Sequence, residues 1–177
     1  MNRWSEHGAV EFYRESDPAK ATIRVARRPG KGLWSAIGRE IEKVDPQEPT
    51  MNLEGITNDT TEADLQRIVV HEAGHSLGMQ HEHLRAEVIK NLDPQVVRIW
   101  FGIRTGWTPD RIKRELLTPI EAGSAYASSA FDNKSIMCYS IPRIACHDGQ
   151  AIPGGERIDP IDAELISNVY PRAGGHP

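Results

Sequence analysis

Eleven residues constrain this chain more than any other stretch: His71-Glu72-Ala73-Gly74-His75-Ser76-Leu77-Gly78-Met79-Gln80-His81. Histidines four apart on a helix stand about 40° from each other around the axis and one turn apart, so His71 and His75 can share one metal ion. Glu72 points to a different side of the same turn, poorly placed to join the metal but able to reach a water there, which is the position of a general base. Gly78 supplies the tolerance of positive φ that a helix needs where it stops and reverses, and His81 can then swing back as a third ligand. Three neutral imidazoles leave the fourth tetrahedral position of a zinc ion open, which separates a catalytic site from a closed structural one. The pentapeptide H-E-x-x-H alone also arises in helices whose histidines make ordinary hydrogen bonds. The longer spacing specifies three ligands, a base and a turn residue together.

A chain of 177 residues is most simply one domain, here a single catalytic domain over 1–177 with an N-terminal part at 1–81 and a C-terminal part at 82–177. Charged residues at 26% and a net charge of -4 suit a globular protein and argue against a nucleic-acid partner. No apolar run is long enough to span a membrane, so no membrane partner is expected, and no secretion signal is visible. Met1-Asn2-Arg3-Trp4 reads as the end of a helix or linker entered part-way. Two cysteines, Cys138 and Cys146, exclude a disulfide-stapled mini-domain and leave one local bridge open.

Ala9 to Phe12 and Thr22 to Arg27 are expected as the first two strands, the second with Ile23 and Val25 on one apolar face. Leu33 to Gly38 reads as a loop or irregular strand, and Thr50-Met51-Asn52-Leu53 as a short strand. That strand lies either within the sheet or at its edge, where unpaired backbone groups can take up an extended peptide. Thr60 or Thr61 with Asp64 opens the metal-binding helix, and Leu65, Ile68, Val69, Ala73 and Leu77 mark its buried stripe. Beyond it, Glu82 can orient a ligand or secure a chain terminus, and His83 is expected on the surface, since a tetrahedral ion already has three better-spaced ligands. Asp93-Pro94 starts a helix to about Phe101, Thr108-Pro109 another through Leu117, and Asp159-Pro160 a closing helix buried through Ile161, Leu165, Ile166 and Val169. Trp100, Phe101 and Trp107 read as core or cleft wall, and the end at 174–177, with His176, as solvated.

With the histidines in place, Ser135-Ile136-Met137-Cys138-Tyr139 resembles the Met-turn of the metzincins, a tight turn whose methionine packs beneath the zinc histidines. The match is most similar to the astacin type, in which the turn reads Ser-x-Met-His-Tyr and Glu follows the third histidine; His81-Glu82 and Tyr139 fit. Cys138 stands where astacins have histidine, and typical astacins carry more cysteines. The close match covers roughly residues 71 to 85 and 132 to 140.

The resemblance implies an α+β metzincin-type zincin: a twisted mixed sheet, mostly parallel, a zinc-binding active-site helix and a smaller irregular C-terminal subdomain ending in a helix. It implies Zn2+ on His71, His75 and His81, Glu72 as base and Tyr139 as a stabiliser of the transition state. Pro142 to Gly155 would line the pocket beside the scissile bond. The implied activity is that of a zinc endopeptidase acting on peptide or protein substrates, in a secreted or extracellular setting. Two other readings keep the metal: a catalytically silent peptide-binding module, against which the intact Glu72 argues, and a structural zinc domain, which needs a fourth ligand such as Cys138.

Overall fold

Three short strands and one long helix organise the first part of the molecule in the computed structural model, which describes residues 1–120 and 130–173. Strands β1 (Val25–Ala26), β2 (Leu33–Ser35) and β3 (Met51–Leu53) form one mixed sheet in the order β1-β3-β2. β1 runs parallel to β3 and β2 antiparallel to it, with Leu33 opposite Leu53 and Ser35 opposite Met51. β3 is therefore central, not an edge, and the sheet is not mostly parallel. Asn52 is fully buried in β3 because its side chain serves backbone on both flanks. Its amide donates to the carbonyls of Arg28 and Gly32, and its oxygen accepts from the Arg28 amide.

Ala9 to Phe12 forms no strand. Its backbone is committed elsewhere: the Ala9 amide donates to the Tyr170 carbonyl and the Phe12 amide to the Asn2 side chain. The expected strand from Thr22 to Arg27 shortens to Val25–Ala26, and Val25 is exposed rather than on a buried face. Just before it, the Arg24 amide donates to the Thr50 hydroxyl instead of a ladder carbonyl, and the guanidinium turns onto the carbonyls of Ala21, Val44, Asp45 and Glu48.

Helix α1 (Glu62–Ser76) starts at Thr61, whose hydroxyl accepts from the Asp64 amide. Its burial is not a stripe along the whole length. Leu65, Ile68 and Val69 are less buried, whereas every residue from Val70 to His75 is buried, so the last turns are enclosed on all sides. Trp4, read as the end of a helix or a linker, sits fully buried at the start of a short 3-10 helix and donates its indole N–H to the Val70 carbonyl at 2.9 Å.

Residues up to Met79 form one compact unit together with the chain from Asp162 onward; Gln80–Ile161 form the other. Most of the closing helix α5 (Pro160–Val169) thus belongs with the first unit, to which the Tyr170 hydroxyl ties it through the Leu77 carbonyl. On α5, Ile166 is buried but Ile161 is exposed, and Asp162 takes the buried place.

The second unit holds α2 (Ala86–Lys90), α3 (Pro94–Thr105) and α4 (Pro109–Leu116). Asp93 caps α3 through the Gln95 and Val96 amides, and Thr108 caps α4 through the Arg111 amide. α3 runs past Phe101 to the left-handed Gly106. Val97, Phe101, Ile112, Leu116, Ile141 and Ile152 form this unit's core, with Trp100 and Trp107 packed against it. Cys138 and Cys146 are buried thiols in the same core and are not bridged. The expectation for His176 falls outside the described residues.

Candidate active site

The end of α1 explains how the metal-binding stretch is built. Leu77 caps the helix, Gly78 takes φ +101°, its amide donates to the His75 carbonyl at 2.8 Å, and the Met79 amide donates to the Gly74 carbonyl at 3.0 Å. Such a close after the last helical turn needs a residue at home with positive φ. The reversal also returns the Met79 carbonyl to within 2.8 Å of His75 Nδ1. A carbonyl can only accept, so Nδ1 carries the proton and the lone pair on Nε2 is left for a metal.

His71 and His75 stand edge to face, ring centroids 4.8 Å apart and planes at 89°. One ligand atom from each of His71, His75 and His81 lies within 4.8 Å of the others, so the three imidazoles predicted from the spacing form one group able to hold a metal ion. The donor set fits zinc, which accepts imidazole nitrogen in tetrahedral sites. Burial also favours the ligating form: it pushes the His75 pKa down from 6.5 to about 4, opposed in part by the hydrogen bond to Met79.

That shift carries a stability consequence for the zinc-free protein. In the folded state His75 stays neutral down to about pH 4, while the unfolded chain takes up the proton near 6.5, so the unfolded state binds more protons between these values. The contribution is complete above pH 6.5 and is lost as pH falls toward 4, on the order of 3 kcal/mol. Urea unfolding of zinc-free protein across this window should show the loss, and His75→Gln should remove most of it.

Glu72 is buried, and its carboxylate accepts a hydrogen bond of 2.7 Å from the Ser35 hydroxyl at the end of β2. Sequence reading missed Ser35. Its signal is weak, because a serine in a short strand has no characteristic spacing to a glutamate 37 residues away.

In the second unit, the turn after Asp132 is closed by its own side chains and backbone. The Met137 amide donates to the Ser135 hydroxyl and the Cys138 amide to the Ser135 carbonyl, each at 2.9 Å, and Met137 is buried. Gly155 lies against the back of this turn so closely that a Cβ there would meet the Ser135 carbonyl oxygen at 2.2 Å. Glu82 accepts from the Arg85 guanidinium at 2.7 Å and the Asp132 amide at 3.3 Å, and its own amide donates to the Met137 carbonyl. It therefore holds the start of this unit to the turn. The Tyr139 ring packs against His81 and His83, with centroids 4.6 and 4.5 Å away. His83 is fully buried, which overturns its placement on the surface: both ring nitrogens are hydrogen-bonded inside the unit.

Comparison with known proteins agrees with this construction. The family model for Astacin, a peptidase family, matches residues 1–150. Two solved structures of myroilysin are 28% identical; one aligns with a TM-score of 0.84 over 97% of this chain and 82% of its own. The other aligns with a TM-score of 0.67 over 97% and 74%. High choriolytic enzyme 1, a hatching-enzyme zinc protease from the medaka fish Oryzias latipes, shares the fold at 17% identity and a TM-score of 0.55, over 96% of this chain and 78% of its own. No curated protein sequence matches this chain.

The chain belongs to the astacin family of zinc metallopeptidases. It is accordingly a protease of peptide or protein substrates, with an α+β metzincin fold and a three-histidine group suited to zinc. Among the described residues no helix is long and apolar enough to cross a membrane.

Proposed function

We propose that this protein is an endopeptidase in which His71, His75 and His81 hold zinc, Glu72 is the general base and Tyr139 stabilises the transition state. The observation that carries the reading is the Nδ1-protonated, buried His75 beside His71 on a helix whose next residue after His71 is a buried carboxylate. Zinc held there would supply Lewis acidity, making a water at the site far more acidic than bulk water and polarising the scissile carbonyl. Glu72 takes the proton of the attacking water and passes it to the leaving amine. Ser35 holds one carboxylate oxygen of Glu72 and so orients the group for that transfer. The Tyr139 hydroxyl donates to the oxyanion that develops only as the tetrahedral state forms.

Substrate would bind extended along β2. This strand pairs with β3 on one side, and it carries Ser35 beside the base. An added peptide strand gains main-chain hydrogen bonds there. The same family resemblance favours secretion as the setting in which the protein works.

Tyr139→Phe tests the division of labour. Removing one oxyanion donor should lower kcat by about a hundredfold with little change in KM. An unchanged kcat would take Tyr139 out of the mechanism.

A further inference from the structure

We infer that His83 is a positioning residue for Tyr139, fixing the backbone and ring from which that hydroxyl reaches the reaction; the inference rests on the role proposed for Tyr139. Three observations within the second unit carry it. His83 Nδ1 receives the Tyr139 backbone amide at 3.1 Å, and His83 Nε2 lies 2.9 Å from the Glu115 carbonyl. The two rings stack, with centroids 4.5 Å apart and planes at 19°. His83 is also fully buried, so water does not compete for either bond.

The partners dictate the tautomer. An amide can only donate and a carbonyl can only accept, so Nδ1 is bare and Nε2 carries the proton. Glu115 lies in the last turn of α4, where a carbonyl lacks a helical partner, and the residue four positions on is Pro119, which has no N–H. His83 fills that vacancy with one nitrogen and fastens Tyr139 with the other. A neutral imidazole of this tautomer thus links the end of a packed helix to the residue following Cys138. The Trp107 ring also lies near Tyr139, 6.2 Å away on a tilted plane. A hydroxyl at the end of a six-membered ring is displaced by any rotation of its Cα, and a shift near 1 Å can cost about a hundredfold in rate.

Two conservative substitutions separate the two bonds. Asn places its oxygen near the position of Nδ1 and can still accept from Tyr139, whereas Gln reaches toward Glu115 but gives up that acceptor. His83→Gln should lower kcat roughly ten- to a hundredfold with KM little changed, and speed hydrogen exchange at the Tyr139 amide. His83→Asn should restore most of both. In a Tyr139→Phe background, His83→Gln should add less than about a twofold loss, because both changes remove the same hydroxyl's contribution. The unaltered protein gives an independent readout: the imidazole nitrogen shifts of zinc-loaded protein should report His83 with bare Nδ1 and protonated Nε2.

A full effect of Tyr139→Phe combined with equal, additive losses in both His83 variants would overturn the inference alone. An Nδ1-protonated His83 in the unaltered protein would do the same. Unchanged turnover in Tyr139→Phe would remove both the role of Tyr139 and the inference built on it.

Discussion

Glu72→Gln should leave a folded, zinc-loaded protein that cleaves peptides at least about a thousandfold more slowly than the parent. The substitution keeps shape and volume. Its amide oxygen can still accept from the Ser35 hydroxyl now 2.7 Å away, so the packing at the end of β2 survives. What disappears is basicity: an amide cannot take a proton from water near neutral pH. General acid–base groups contribute roughly 10²- to 10⁴-fold, and Glu72 acts twice in one turnover, first on water and then on the leaving amine. Zinc content and thermal stability should match the parent, which separates a lost base from a lost fold. Parental turnover in Glu72→Gln would sink the assignment of the base.

His75→Ala should lose zinc and turnover together. His75 supplies one of three nitrogens, and two imidazoles without the third make a far weaker site. The substitution also strands the Met79 carbonyl, which now accepts from Nδ1 in a buried bond, at a cost of about 1–3 kcal/mol. Loss of the ion removes whatever stabilisation its binding gives the native state, so the melting temperature should fall and stop responding to added zinc. Metal analysis after gel filtration checks the first part, and melting with and without zinc the second. Stoichiometric zinc retained by His75→Ala would mean that the ion sits elsewhere.

These effects are anticipated from eleven residues because ligand spacing on a helix is a local property. The turn from His71 to His75 and the reversal at Gly78 need no information from the rest of the chain. Helix starts are legible for the same reason: Thr61, Asp93 and Thr108 cap amides two or three residues ahead. The strands are not. Met51–Leu53 has the same short extended pattern at the centre of a sheet as at its edge, and its neighbours come from Val25 and Leu33. A fully buried Asn52 is the clue to a central strand, but its value emerges only when the turn near Gly32 lies beside it.

His83 shows the limit most clearly. Judged by metal spacing it is superfluous, and a superfluous histidine two residues from a ligand belongs on the surface. Its partners are 56 and 32 residues away, so both bonds are visible only in the folded chain. Trp4 is a similar case: the Val70 carbonyl that satisfies its buried indole N–H lies 66 residues away in sequence. Ile161 fails in the other direction, since helical spacing alone does not say which of two adjacent residues, Ile161 or Asp162, turns inward.

Zinc content and cleavage of a quenched-fluorescent peptide mixture should be measured on one preparation, before chelation, after it, and after zinc is restored. A zinc-dependent endopeptidase should hold stoichiometric zinc, lose cleavage to background with the metal, and recover it on re-addition. Stoichiometric zinc without cleavage would point to a silent peptide-binding module. Cleavage that persists in metal-free protein would contradict the zinc mechanism itself.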